Sequence, residues 1–182
     1  MSELARLKRL WKKVETTTAS VQEKIDAACL AGKLDDVPSI PAVYQLLDDE
    51  DENVRYFALE SLVLSLGLKG RSAVSRCWSI LADDPSDDLR ALAASCIGSS
   101  YYGTGLPDVF NRLKCVAADE SLSGRVRFSA YSALFQVAGC PPLQWPGVSA
   151  LRFDSSEIDW ERITQLEAEI SARFPPARTS PG

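Results

Sequence analysis

Asn53-Val54-Arg55-Tyr56-Phe57-Ala58-Leu59-Glu60-Ser61-Leu62 decides the fold, because two later stretches repeat its skeleton. Val54-Arg55-x-x-Ala58-x-x-x-Leu62 returns as Leu89-Arg90-x-x-Ala93-x-x-x-Ile97 and again as Val126-Arg127-x-x-Ala130-x-x-x-Leu134. The arginines are 35 and then 37 residues apart. Apolar residues four positions apart share one stripe of an α-helix, so each copy reads as an amphipathic helix with its arginine beside the stripe. A second series precedes the first: Ile40, Tyr44 and Leu47, then Val74, Trp78 and Leu81, then Val109, Leu113 and Val116. Its starts lie 34 and 35 residues apart, which puts the two extra residues of the third copy in its turn. Each unit is therefore a helical hairpin. A fixed period of roughly 20–50 residues means hairpins that bury their apolar faces by stacking on one another.

The flanks read as further helices. Leu4, Leu7, Leu10, Trp11 and Val14 form one stripe over residues 2–15, with Ser2 as its cap. Arg6, Lys8, Arg9, Lys12 and Lys13 occupy the other faces, which suits a cap on the first hairpin or, as the lesser reading, a helix lying on a membrane. A second helix is expected to about residue 31, with Val21, Ile25, Ala28 and Cys29 inward and Gly32 as a left-handed stop. Pro38 and Pro41 suit the first turn of a helix. After Gly139 the proline-rich run Cys140–Gly147 cannot be helical throughout, and Leu143 and Trp145 are expected to tuck against the last hairpin. A final helix is expected over 156–174, capped at Ser156 with Asp159 in capping-box position. Ile158, Ile163, Leu166 and Ile170 are its apolar side, and residues 175–182 are expected to be a disordered tail.

Between the helices of each hairpin lies an acidic or polar turn: Asp48-Asp49-Glu50-Asp51-Glu52, Asp83-Asp84-Pro85-Ser86-Asp87-Asp88, and Asp119-Glu120-Ser121-Leu122-Ser123-Gly124. Acids just before a helix amino terminus are stabilised by its dipole, by roughly 0.3–1 kcal/mol each. Capping and solvation account for any one of them, whereas the edge as a whole is a candidate for meeting something basic. Asp49, Asp51, Asp84 and Asp87 are the acidic candidates.

This pattern resembles the HEAT and HEAT-like helical repeats. The turn acids, the Val/Leu-Arg pair and the Ala and Leu/Ile that follow carry the resemblance over residues 37–139. It implies an all-α fold, a right-handed α-solenoid of about three HEAT-like hairpins (about 37–66, 71–99 and 106–139) with amino- and carboxy-terminal capping helices, in one domain over 1–174. It also implies that Arg55, Arg90 and Arg127 form a structural ladder between repeats. The family hosts scaffolds, inhibitors, chromophore lyases and a few enzymes, so the fold does not fix the function. Its metal-dependent hydroxylases use His-Glu pairs, and this chain has no histidine. Its DNA-binding glycosylases use a basic face, for which Arg112, Lys114, Arg125 and Arg127 are the nearest grouping here.

Second helices in such stacks line the concave face. Beside the core stripe of the first copy stand Tyr56, Leu59, Glu60 and Val63; the second offers Ala91, Ala94, Ser95 and Gly98, and the third Phe128, Tyr131, Ser132 and Phe135. That reads as a small-residue saddle between two bulky walls, with Tyr102 close behind. Aromatics dominate interface energetics, so Tyr56, Leu59, Glu60, Tyr102, Phe128, Tyr131 and Phe135 are the expected partner-binding residues. Burial against neighbouring segments is the competing reading.

Composition narrows the function classes. The absence of histidine removes the commonest general base and transition-metal ligand. No C-x-x-C pair and no phosphate-cradling glycine motif occurs, so no catalytic, cofactor or metal site is expected. Residues 1–15 carry +3, and the total of −5 less this +3 leaves −8 on the rest, which repels nucleic acid and favours basic proteins. Cys29, Cys77, Cys96 and Cys115 fall inside helical patterns, as small core residues of a reducing compartment do. No signal-like run or membrane span is read at either end, so the expectation is a cytoplasmic monomer or heterodimer without membrane or nucleic-acid partners. The leading function is an immunity or antitoxin-type protein that blocks a basic toxin or effector domain. The alternatives are a general adaptor or assembly scaffold and a HEAT-like chromophore lyase.

Overall fold

In the computed structural model, residues 2–68, 70–146 and 157–173 are described. Every regular element among them is helical. The chain divides into two compact units, residues 1–96 and 97–182.

The first unit contains α1 (Glu3–Glu15), α2 (Val21–Lys33), a 3-10 turn (Val37–Ser39), α3 (Ile40–Leu46), α4 (Glu52–Glu60), a π turn (Ser61–Ser65), α5 (Arg71–Asp83) and most of α6 (Asp87–Ser100). Ser2 Oγ accepts the Ala5 N–H at 3.2 Å and caps α1. Ser20 and Glu23 form a reciprocal capping box at the head of α2. Leu7, Leu10 and Trp11 of α1 are buried as their spacing predicts. Pro38 and Pro41 open the 3-10 turn and α3, where a missing N–H costs nothing.

Helix α2 corrects three expectations. It runs through Gly32 to Lys33, and the left-handed residue beyond it is Asp35 (φ 51°). Gly32 is instead a close-approach site: a Cβ there would lie 2.7 Å from Ser65 Cβ, in the π turn. Val21 and Cys29 are exposed, and Ala27, Ala28, Leu30 and Ala31 form the buried face. Small side chains on that face let α2 approach α4 and the π turn closely, which overrides the larger apolar residues in setting the helix's rotation.

The second unit holds the end of α6, α7 (Pro107–Ala118), α8 (Gly124–Ala138), a 3-10 turn (Pro142–Gln144) and α9 (Trp160–Arg173). Gly139 ends α8 in the left-handed conformation (φ 79°), with its N–H on the Gln136 carbonyl. Helix α9 packs on α7 and α8 through Ile163, Leu166 and Ile170. It begins at Trp160, and Asp159 is its cap, with Oδ1 accepting the Arg162 N–H at 2.8 Å. The capping position expected at Ser156 and the tail at 175–182 lie outside the described residues. Leu143 is fully exposed, against expectation, because the 3-10 turn at Pro142 aims it outward; Trp145 is anchored by its indole N–H on the Cys140 carbonyl.

All nine skeleton positions (Val54, Ala58, Leu62, Leu89, Ala93, Ile97, Val126, Ala130 and Leu134) are at most 1% exposed. Hydrophobic burial at these positions is the link by which the sequence repeat becomes a core.

Candidate protein-binding surface

The hairpin turns share one local device. Asp49, Asp84 and Asp119 each accept, through Oδ1, the N–H two residues on, at 3.1, 2.9 and 2.9 Å. These acids are spaced 35 and 35 residues apart, so the two extra residues of the third copy fall between its Asp119 and its helix. The helix caps follow: Asp51 Oδ1 accepts the Asn53 and Val54 N–H groups, Ser86 Oγ the Leu89 N–H, and Ser123 Oγ the Val126 N–H.

The repeated arginines close these turns. Arg55 Nε and Nη2 both reach the Asp84 carboxylate at 3.0 Å, and Nη1 donates to the carbonyls of Asp49 and Glu50. One guanidinium thus ties its own turn to that of the next hairpin, with both charged side chains about nine-tenths buried at 11% and 9% exposure. The hydrogen bond to Asp84 pushes the Arg55 pKa up against the opposing effect of burial. Arg90 Nε donates to the Leu81 carbonyl at 2.9 Å, and its guanidinium lies 3.7 Å from Asp87. Arg127 Nε donates to the Ala117 carbonyl at 3.0 Å and is buried. The carbonyl role is common to all three, and Arg55 adds a bidentate bridge to Asp84.

The acidic candidates separate accordingly. Asp49 is committed to Lys24 (2.6 Å) and its turn, Asp51 to its cap, and Asp84 to Arg55, while Asp87 stays half exposed. Sequence reasoning passed over Glu50, Glu52 and Asp83, which are exposed and form no salt bridge among the described residues. The offset from the arginine holds part of the signal: residues four before it (Asp51, Ser86, Ser123) are caps, Asp49, Asp84 and Asp119 close the turns, and Glu50, Glu52 and Asp83 are exposed.

The aromatic wall is a correction. Phe128, Tyr131 and Phe135 are 8%, 5% and 4% exposed, and Leu59 is 1% exposed. Tyr131 meets Phe135 edge to face at 5.3 Å, and its hydroxyl oxygen accepts the Asp159 N–H at 3.3 Å. The residue leading into α9 thus binds what the helical wheel left open. Burial is the main cause of a raised Tyr131 pKa. The small-residue saddle is also filled: Ala91, Ala94 and Gly98 are buried, and a Cβ on Gly98 would lie 2.7 Å from Ala133 Cβ and 2.8 Å from its Cα. On α4, Tyr56 and Glu60 are half-buried. Tyr102 is 49% exposed, with its hydroxyl on the Cys140 carbonyl and its ring 6.5 Å from Trp145.

Cys77 and Cys96 are fully buried, and the neighbouring Cys77 thiol together with burial pushes the Cys96 thiol up. Cys29 and Cys115 are exposed, which corrects their expected core placement; each sits on a helix flank turned from the packed face. Of the basic grouping considered for nucleic acid, Lys114 pairs with Glu167 at 2.6 Å and Arg127 is buried. Among the described residues no cluster of three or more His, Cys, Asp or Glu side chains is placed to hold a metal ion. No helix among them is long and apolar enough to cross a membrane.

Tandem helical hairpins with capped acidic turns and inward arginines define an α-helical repeat protein. Residues 40–64, from the start of α3 into the π turn, match the family model for the HEAT repeat, which supports the HEAT-like helical repeat family. No curated protein and no solved structure matches the chain. HEAT repeats generally serve as protein-interaction modules and are typically non-enzymatic.

Proposed function

We propose that the chain is a non-enzymatic protein-binding module of the immunity or antitoxin type, which binds a basic effector domain and blocks it. The observation that carries this reading is the acidic edge of the first two hairpin turns. Glu50, Glu52 and Asp83 are exposed there without salt bridges among the described residues, on a backbone already fixed by Asp49, Asp51, Asp84 and Arg55. A fixed edge loses little further freedom on binding, so more of the attraction to a basic partner survives as affinity. Such charge complementarity also raises the association rate and rejects acidic partners. Glu52, Tyr56 and Glu60 stand at i, i+4 and i+8 on α4, an aromatic anchor between two acids on one helix face. Asp87 adds to the edge, and Tyr102 is an exposed aromatic of the second unit.

The experiment is affinity purification of the full chain from its own cells, mass spectrometry of any stoichiometric partner, and calorimetry with that partner purified. Glu52→Lys with Tyr56→Ala should weaken binding by about 30-fold or more, the scale of one hot-spot residue, with a fall in melting temperature of only about a few degrees. The partner's own activity should fall at one-to-one stoichiometry. A partner that stays active when bound makes the chain an adaptor instead, and a cell without a stoichiometric partner removes the proposal's support.

A further inference from the structure

An open groove of about 740 Å³ lies between α1 and the segment from Asp36 to Ala42, within the first unit. Its volume is in the range of about 300–1,000 Å³ typical of ligand pockets. Its apolar lining comes from Leu4, Leu7, Trp11, Pro38 and Ala42. Leu4 at the mouth is 46% exposed, although it continues the α1 stripe in which Leu7, Leu10 and Trp11 are buried. The floor is fixed by a relay: the Trp11 indole N–H donates to Ser39 Oγ at 2.7 Å, and the Ser39 hydroxyl donates to the Asp36 carboxylate. Trp11 is therefore held in one orientation and leaves the groove open.

The rim is charged in a patterned way. Four cations of α1 and α2 are matched to carboxylates: Arg6 to Asp26, Lys13 to Glu23, Lys24 to Asp49 and Lys33 to Glu3. Lys8, Arg9 and Lys12 are exposed and form no salt bridge among the described residues, and of these Lys8 and Lys12 line the groove. Asp36, an acid on the opposite side of the groove, is engaged by Ser39. Glu15 stands at the carboxy-terminal end of α1 and sets a negative end to the groove.

We infer that this groove docks an acidic amphipathic helix of a partner protein. One large apolar side chain of that helix fills the space over Trp11, and its flanking acids meet Lys8 and Lys12. Helix-in-groove recognition needs an apolar slot of this kind and complementary rims. Such a site has the opposite charge preference to the acidic turns, so it stands whether or not the effector-blocking reading does.

The test is a display selection of helical peptides against the full-length chain, with vesicles of phosphatidylserine and phosphatidylcholine as the competing surface. Selected peptides should carry apolar residues at i, i+3 or i+4, and i+7 beside Glu or Asp. Lys8→Glu with Lys12→Glu should weaken a selected peptide about tenfold or more at low salt while circular dichroism and melting stay unchanged. A peptide with its acids changed to lysine should recover part of that loss on the double variant. Enrichment of basic or uncharged peptides, no enrichment at all, or peptide binding indifferent to the double variant would each overturn the inference. So would vesicle binding that is abolished by the double variant in the absence of any peptide binding, which would assign the cations to a lipid surface.

Discussion

Helix α4 with the π turn that continues it, and helix α8, carry the same skeleton, and their buried stripes are indistinguishable: Val54, Ala58 and Leu62 against Val126, Ala130 and Leu134, all at most 1% exposed. They differ one position away. Arg55 reaches out to the acid of the next turn, while Arg127 is buried and bonded to the Ala117 carbonyl. Tyr56 stays half open where Phe128 is covered, and Tyr131 sits beneath the approach to α9 where α4 has Leu59. The skeleton specifies a helix face, and whatever packs next specifies the use of the adjoining face. A repeat motif therefore reports on the core, and its neighbours report on position in the chain.

The largest expected break in the comparison is at the aromatic positions. Tyr131→Ala and Phe135→Ala should each cost about 3–5 kcal/mol in denaturant unfolding, because each leaves a cavity beneath well-packed neighbours. Tyr56→Ala on α4 should cost about 1 kcal/mol or less, as a half-open residue does. Equal losses would mean that the two faces are not differently used.

Next come the arginines. Arg55→Ala strands the Asp84 carboxylate in a largely buried setting and should cost about 2–4 kcal/mol. Arg127→Ala strands only the Ala117 carbonyl and should cost about 1–3 kcal/mol. Adding Asp84→Asn to Arg55→Ala should recover part of the loss, whereas additive losses would show that the bridge is not the stabilising contact. The glycines follow. Gly98→Ala drives a Cβ toward the Ala133 backbone and should cost about 1–3 kcal/mol, with Ala133→Gly recovering part of it. Gly32→Ala meets the Ser65 side chain and should cost less.

The hairpins, the cap of α1 at Ser2 and the recurrence of the arginines were legible because each rests on local spacing, whereas the capping box at Ser20 was not read. Three in-phase copies also fixed which stripe is core. The π turn at Ser61–Ser65 and the rotation of α2 were not legible, since both depend on how closely small side chains let two helices approach. The covering of Tyr131 was hidden for a different reason: Asp159 is 28 residues away, beyond the reach of any periodicity. Counting back from each arginine finds its cap, but Asp49 and Asp84 are set apart from Glu50, Glu52 and Asp83 by their partners Lys24 and Arg55, which lie 25 and 29 residues away.

The smallest effect sharpens the comparison most, because it removes only one hydroxyl. Tyr131→Phe keeps the ring that packs on Phe135 and deletes the acceptor for the Asp159 N–H, so at neutral pH it should cost about 0.5–1.5 kcal/mol. At alkaline pH the sign should reverse. Burial raises the Tyr131 pKa above the ordinary tyrosine value, so the folded state favours the neutral phenol. The stability this represents is complete below about pH 10, the unfolded value, and is lost as pH rises through the folded one. The phenylalanine variant has nothing to ionise there and should hold its stability where the parent declines. Denaturant midpoints across that range, with the phenolate followed by ultraviolet absorbance, read both arms. Parallel curves for parent and variant would place the Tyr131 hydroxyl in water, and α8 would then resemble α4 more than its packing implies.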